Sequence, residues 1–229
     1  MQKSMIRILS IADIVTILNA VLGFLALLMV FSDQFQIAAS LILFGLLTDG
    51  LDGIIARRVR KSRIGDYLEA IADMVSLSIA PLVLLYKIYY EMVVSQLYLL
   101  LILDIVLVFS LICSIIRLSS FSLLKEKQFF LGLPTSASAI FLVLISFFKP
   151  DIWYSIPVII ILSLAMISPI LFPKPGLKVN LIAAVFIVAT ILLDGMYFTV
   201  APLLLLAAII SYIIIGPIYF WFKKKKSYV

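Results

Sequence analysis

The chain has 229 residues, of which 65% are hydrophobic and 13% are charged, and its mean hydropathy is +1.26. This composition excludes an ordinary soluble domain. The net charge is +6, but the basic residues gather at the N-terminus, in alternate connectors and in the final lysine run, which is typical of membrane topology. Nucleic acid is therefore not expected as a partner.

Eight apolar stretches have about the 20 residues that a helix needs to cross the roughly 30 Å hydrocarbon core. They lie near residues 12–31, 36–57, 65–88, 97–120, 132–148, 152–171, 179–197 and 200–222. Their apolar residues do not alternate with polar ones, which favours helices over the strands of a barrel. We expect an all-α, polytopic transmembrane helical bundle of about eight spans, forming a single membrane domain over residues 1–229.

The basic connectors predict the orientation of the bundle. Segments 58–64, 123–131 and 172–178 are rich in Lys or Arg, as is the terminal run 223–226. Because positively charged connectors stay in the cytoplasm, both termini are expected there, with an even number of spans between them. The sequence thus predicts an integral protein of the cell membrane whose first apolar run is a retained helix.

Histidine is absent from the chain, and Cys113 is its single cysteine. An internal disulfide and a Cys/His zinc site are therefore impossible. Any metal ligand or general base must come mainly from carboxylates, which favour hard cations such as Mg²⁺ or Mn²⁺.

Four acidic residues of the window 48–81 form two pairs at helical spacing. Asp49 and Asp52 are three residues apart on the second predicted helix, and Glu69 and Asp73 are four apart on the third. Each spacing puts its two carboxylates on one helix face. Because a short basic connector joins the two helices, we expect antiparallel neighbours that bring the four carboxylates together near the cytoplasmic surface.

Four clustered carboxylates repel one another in a low dielectric and must be neutralised. Protons could do this, as could Arg57 and Arg58, or the acids could face cytoplasmic water at the helix ends. One or two divalent cations would satisfy both the charge and the oxygen lone pairs. Gly53, Ala56 and Gly65 flank the acids, and such small residues either admit a ligand close to the backbone or serve helix packing.

The joint pattern, DxxDGxxAR followed by GxxxExxxD, resembles the signature of the CDP-alcohol phosphotransferase family of membrane enzymes. The connector is one residue shorter than is usual in that family, and Glu69 stands where aspartate is usual. The resemblance implies that Asp49, Asp52, Glu69 and Asp73 ligate two cations, Mg²⁺ or Mn²⁺, and that Asp73 is also the catalytic base. It further implies a binding pocket for the CDP-linked lipid lined by Gly53, Ala56, Arg57 and Gly65.

The first helix extends this resemblance. Its Thr16, Asn19 and Gly23 form a TxxNxxxG arrangement that is similar to a family segment near the cytidine. Thr16 and Asn19 are therefore expected in the pocket for the CDP-linked lipid. Asp13 occupies a position where the family usually has asparagine.

Three later segments are similar to the phosphatidylserine synthases within that family: SLSIAP after Asp73, RLSSFS from Arg117 and FLGLPTSASA from Phe130. This similarity implies that serine is the acceptor. Arg117 could bind the serine carboxylate bidentately, with Thr135 and Ser136 adding hydroxyl contacts. The alternative for Arg117 is a side chain that snorkels to the membrane surface.

The resemblance implies metal-dependent transfer of a phosphatidyl or archaetidyl group from a CDP-linked lipid to L-serine. CMP is the other product, and the active site faces the cytoplasm. A homodimer surrounded by membrane lipids is also implied. Transfer to glycerol phosphate or inositol phosphate is an alternative, and a cation-coupled transporter is a more distant one. Asp104 has no assigned role.

Overall fold

The computed structural model describes residues 9–56, 62, 64–121, 129–192 and 200–226. The side chains of residues 51–56, 121, 177–178 and 220–226 lie outside this description. Within these ranges the chain is almost wholly helical, which confirms the predicted all-α class.

The helices follow one another through short connectors. In chain order they are α1 (Ile11–Phe31), α2 (Phe35–Ala56), α3 (Gly65–Asp73), a π-helical segment (Met74–Ile79), α4 (Ala80–Val93), α5 (Leu97–Phe121), α6 (Thr135–Phe148), α7 (Ile152–Ile167), α8 (Leu177–Leu192) and α9 (Val200–Lys226). Because α3, the π-helical segment and α4 are continuous, the described ranges contain eight uninterrupted helices. These coincide with the eight predicted apolar stretches.

Four helical stretches among the described residues are long and apolar enough to cross a membrane. They are Ile11–Phe31, Gly65–Val93, Leu97–Ser120 and Val200–Tyr219. The apolar part of α2 and helices α6, α7 and α8 are shorter. Large apolar side chains such as Ile105, Ile161 and Leu181 are exposed, as expected where lipid takes the place of water. The protein is therefore a membrane protein.

A capping box starts α1. The Ser10 hydroxyl accepts from the Asp13 backbone N–H at 3.3 Å, and the Asp13 carboxylate accepts from the Ser10 N–H at 2.6 Å. Two backbone donors that would otherwise lack partners are thereby satisfied. A tight turn at Ser32–Gln34 then lets α2 pack back along α1.

The π-helical segment was not predicted, because a wider turn leaves the apolar pattern of a buried helix unchanged. Met74–Ile79 contacts α1, α2, α5 and α6. It begins directly after Asp73, the last residue of α3. The segment that follows this acid is therefore the place where four other helices meet.

Two three-residue strands, β1 (Phe129–Leu131) and β2 (Leu171–Pro173), form a short antiparallel ribbon in which Phe130 pairs with Phe172. This ribbon was also not predicted. Gly132 follows β1 with φ of +76°, and a Cβ there would lie 2.2 Å from the Met166 carbonyl oxygen. Only glycine fits this position, since both the backbone conformation and the close approach exclude a side chain.

Polar contacts join the helices at the end of the bundle opposite this ribbon. The Tyr89 hydroxyl donates to the Pro150 carbonyl at 2.8 Å and lies 2.6 Å from the Ser155 hydroxyl. Lys87 and Asp33 form an ion pair at 3.1 Å. These contacts connect α4 to the α6–α7 and α1–α2 connectors.

Candidate active site

Polar residues of α1 face the interior of the bundle rather than lipid. Thr16 and Asn19 are buried, and Asn19 is fully so. The Thr16 hydroxyl donates to the Ala12 carbonyl one turn earlier at 3.2 Å. A buried amide costs free energy unless it is hydrogen-bonded. The hydrogen-bond partners of Asn19 therefore indicate the role of this face of α1.

Asn19 holds the acid at the end of α3. Its Nδ2 donates to Asp73 Oδ1 at 3.2 Å across 54 residues of sequence. On its other side lies α2, where a Cβ at Gly45 would be 2.9 Å from Asn19 Oδ1. This oxygen is buried without a hydrogen-bond partner among the described residues. The Asn19 side chain therefore contacts both helices that carry the acidic motif.

The approach of α1 to the π-helical segment is very close at Gly23. A Cβ there would lie 2.5 Å from Ser76 Cα and 2.8 Å from Ser76 N. The atoms in the way belong to the backbone, which a rotamer change cannot move. Gly23 thus permits the spacing that brings Asn19 within reach of Asp73.

These contacts also indicate where the other acidic residues lie along the axis of the helical bundle, which we call their level. α1 and α3 run parallel, since Asn19 meets Asp73 and Gly23 meets Ser76. Glu69, one turn before Asp73, therefore lies near the level of Thr16. α2 runs antiparallel to α1, so Asp49, one turn after the glycine beside Asn19, comes to the same level.

Asp49, Glu69 and Asp73 are half-buried, and each has at least one polar or electrostatic interaction. Among the described residues, α1 packs against both α2 and α3. The contacts that α2 makes along the third helix fall mainly on the π-helical segment and α4. α1 is thus a third wall of the site.

Several predicted site residues fall partly or wholly outside the description. Asp52, Gly53 and Ala56 belong to the last turns of α2, but their side chains are not described. Arg57 lies outside the described residues altogether. Gly65 is the first residue of α3 and is buried. The pocket predicted from these residues therefore stays a prediction.

The donor set suits a hard cation, because every candidate ligand is a carboxylate oxygen and Cys113 is buried within α5. Among side chains that the structure describes, no three acidic, histidine or cysteine residues are grouped closely enough to hold a metal. The predicted set of four includes Asp52, whose side chain lies outside the described residues.

Arg117 lies near the end of α5 and is only 8% exposed. Its Nε donates to the Leu133 carbonyl at 3.3 Å, so the side chain turns into the protein. The snorkelling alternative is therefore wrong. Thr135, at the start of α6, is buried, and Ser136 is half-buried. α5 and α6 both contact the π-helical segment, which places these two helices beside the acidic motif.

A model of the CDP-alcohol phosphatidyltransferase family matches residues 9–171. Among curated proteins, the CDP-diacylglycerol–serine O-phosphatidyltransferase of Methanocaldococcus jannaschii is 35% identical over 174 residues, covering 73% of this chain and 76% of that protein. The archaetidylserine synthase of Methanothermobacter thermautotrophicus is 28% identical over 184 residues, covering 75% and 73%.

A third relative, the CDP-diacylglycerol–serine O-phosphatidyltransferase of Bacillus subtilis, is 32% identical over 163 residues. The match covers 69% of this chain and 87% of that protein. The matched family region contains the acidic motif, the Asn19–Asp73 contact and Arg117. The chain belongs to the CDP-alcohol phosphatidyltransferase family and is a membrane transferase of phospholipid biosynthesis.

Proposed function

We propose that this protein transfers a phosphatidyl or archaetidyl group from a CDP-linked lipid to L-serine and releases CMP. The observation that carries the proposal is the hydrogen bond by which Asn19 of α1 orients Asp73, the last acid of the family motif. Serine is favoured because all three relatives described above are named for transfer to serine or for archaetidylserine synthesis.

The products define the bond changes. The new lipid keeps one phosphate and CMP keeps the other, so the serine hydroxyl must attack the phosphorus that bears the lipid. An oxygen–phosphorus bond to serine forms as the bond to the CMP oxygen breaks. Asp73 accepts the hydroxyl proton, and Asn19 fixes the orientation of this carboxylate.

Asp49, Asp52, Glu69 and Asp73 would hold one or two divalent cations, Mg²⁺ or Mn²⁺. Bound cations would balance the charge of the diphosphate and of the departing CMP. Support comes from the shared level of Asp49 and Glu69 in the bundle and from donors that are all oxygen. The half-burial of the described acids also favours a cationic partner, because uncompensated carboxylates are costly away from water.

The CDP-linked lipid would bind where α1, α2 and α3 meet. The residues that we assign to its pocket are Thr16, Asn19, Gly53, Ala56, Arg57 and Gly65. Asn19 Oδ1 supports this location, since a buried carbonyl oxygen without a partner can accept a hydrogen bond from a ligand. Arg57 would contribute a guanidinium for a phosphate oxygen.

The acceptor would bind beside Arg117, Thr135 and Ser136. Arg117 brings a buried positive charge, and Thr135 and Ser136 form the first turn of α6. The positive end of that helix dipole favours a carboxylate. These three residues therefore suit an acceptor that carries a carboxylate next to its hydroxyl group.

The proposal includes a placement in the membrane. Eight spans with both termini in the cytoplasm would put the acidic motif at the cytoplasmic face, where serine and CMP are soluble while the lipid tails stay in hydrocarbon. Residues 1–229 would form a single membrane domain. Assembly as a homodimer rests on the family resemblance alone.

The test is CMP release by the purified protein in lipid nanodiscs containing CDP-diacylglycerol, with Mn²⁺ or Mg²⁺. Serine, glycerol 3-phosphate and inositol phosphate are supplied separately. We expect CMP release with serine, its loss in EDTA and its recovery when either metal is restored. Release only with a phosphorylated polyol would refute serine as the acceptor.

Asp73→Asn tests the assigned base, and Asp104→Asn is the matched control. Both are aspartates within candidate membrane helices, and Asp104 lies in α5 without a role in the proposed chemistry. We expect Asp73→Asn to lose at least 100-fold in kcat, the scale of a missing general base. A fully active Asp73→Asn would contradict the mechanism.

A further inference from the structure

The C-terminal helix α9 packs against strand β2 and is hydrogen-bonded to it. Tyr212 donates its hydroxyl to the Pro173 carbonyl at 3.1 Å, and its ring packs on Phe172 with 6.0 Å between centroids. One turn later, a Cβ at Gly216 would lie 3.0 Å from Pro173 Cδ. α9 lies beyond residue 171, where the family match ends. These contacts therefore involve a helix outside the matched region.

Strand β2 in turn fixes the segment after β1. Leu131 pairs with Leu171, and the next residue, Gly132, donates its N–H to the Ile170 carbonyl at 2.8 Å. The Leu133 N–H donates to the Ala165 carbonyl at 2.9 Å. The position of the Leu133 peptide is thus set by the end of α7 and by the residues that lead into β2.

The Leu133 carbonyl is the group that accepts from Arg117 Nε at 3.3 Å. A chain of contacts thus runs from Tyr212 through Pro173, the ribbon and Leu133 to Arg117. Arg117 is buried, so contacts within the protein, including the one to the Leu133 carbonyl, orient its guanidinium.

We propose that Tyr212 is a positioning residue for the acceptor site, acting through the β1–β2 ribbon on Arg117 and on the first turn of α6. The inference rests on the proposed function, in which Arg117 and Thr135 receive the acceptor. Tyr212 lies on α9, which among the described residues packs mainly against α6, α8 and β2. Its removal should therefore impair acceptor binding while leaving the CDP-linked lipid bound as before.

Tyr212→Phe is the test, because it keeps the ring on Phe172 and removes only the hydroxyl. Tyr219→Phe is the matched control, since Tyr219 lies on the same helix and is 60% exposed. We expect the KM for serine to rise roughly threefold to tenfold in Tyr212→Phe, the factor that one lost hydrogen bond is worth. The kcat and the KM for CDP-diacylglycerol should match those of the wild type and of Tyr219→Phe.

A purely structural role would lower the amount of active protein and leave both KM values unchanged. Combining Tyr212→Phe with Arg117→Lys adds a second criterion, because residues that act through one another give non-additive effects. The inference would be overturned by an unchanged KM for serine or by an equal rise in the KM for CDP-diacylglycerol. It would also be overturned if the effects of Tyr212→Phe and Arg117→Lys on the KM for serine were fully additive.

The proposed function can fail separately. If the wild-type protein releases CMP with a phosphorylated polyol and not with serine, serine is refuted as the acceptor. The same two tyrosine variants are then compared by the KM for that polyol. A selective rise in Tyr212→Phe supports the positioning role, and an unchanged KM overturns it.

Discussion

Gly23→Ala should inactivate the enzyme without unfolding it. The new Cβ would lie 2.5 Å from Ser76 Cα. α1 and the π-helical segment must separate by about 0.9 Å to reach the shortest ordinary contact distance of 3.4 Å. Ser76 lies three residues after Asp73, so this movement displaces the carboxylate from Asn19. Misplacing a reacting group by about 1 Å can reduce the rate roughly 100-fold.

The effect on stability should be smaller. Overpacking costs about 1–3 kcal/mol, whereas replacing a helical glycine by alanine gains about 0.8–1.0 kcal/mol in helix propensity. The free energy of unfolding should therefore fall by at most about 2 kcal/mol. Gly50→Ala is the matched control, because Gly50 is also helical and a Cβ there meets no described atom within 4 Å.

The assay is the initial rate of CMP release in nanodiscs at saturating substrates, with thermal unfolding measured on the same samples. We expect Gly23→Ala to lose roughly 100-fold in kcat, and Gly50→Ala to keep the wild-type rate. Retention of half the wild-type kcat by Gly23→Ala would refute the reasoning. An equal fall in the thermal midpoints of the two variants would also refute it, since a Cβ at Gly50 meets no described atom within 4 Å.

Three further outcomes are expected. Asn19→Leu removes a hydrogen bond to a carboxylate, so kcat measured by CMP release should fall roughly 10- to 100-fold; an unchanged kcat would remove Asn19 from the mechanism. Gly132→Ala, which forces a Cβ against the Met166 carbonyl at positive φ, should lower the thermal midpoint clearly, and an unchanged midpoint would contradict the strain. Asp33→Asn breaks the ion pair with Lys87 and keeps a residue type that tolerates the positive φ at this position; it should cost less than about 1 kcal/mol by thermal unfolding, with normal CMP release.

Hydropathy was sufficient to locate the helices, because burial in lipid demands long apolar runs whatever their neighbours. The eight predicted stretches therefore match the eight uninterrupted helices to within a few residues at most ends. The ribbon was missed, since three residues such as 129–131 are too few to show alternation. The π-helical turn was missed because its residues are apolar or small like those around it.

The acidic motif was recognisable from the spacing of its residues, but the packing of α1 against it was not. The bond between Asn19 and Asp73 joins residues 54 apart, and only packing could show that α1 stands between the motif helices. Arg117 had a recognisable motif around it, yet its carbonyl partner depends on the fold of Gly132 and Leu133. Tyr212 gave no signal at all, since it is one of 10 tyrosines and lies in an apolar helix.

The π-helical turn after Asp73 also determines which insertions and deletions the chain can tolerate. A π-helix holds about one residue more per turn than an α-helix. Deleting one residue within Met74–Ile79 could therefore restore regular helix and leave α4 nearly in phase with α3. The same deletion within residues 80–82, which are regular helix, would rotate the rest of α4 by about 100°. Leu84 and Leu85, which are fully buried, would keep their neighbours in the first case and turn away from them in the second.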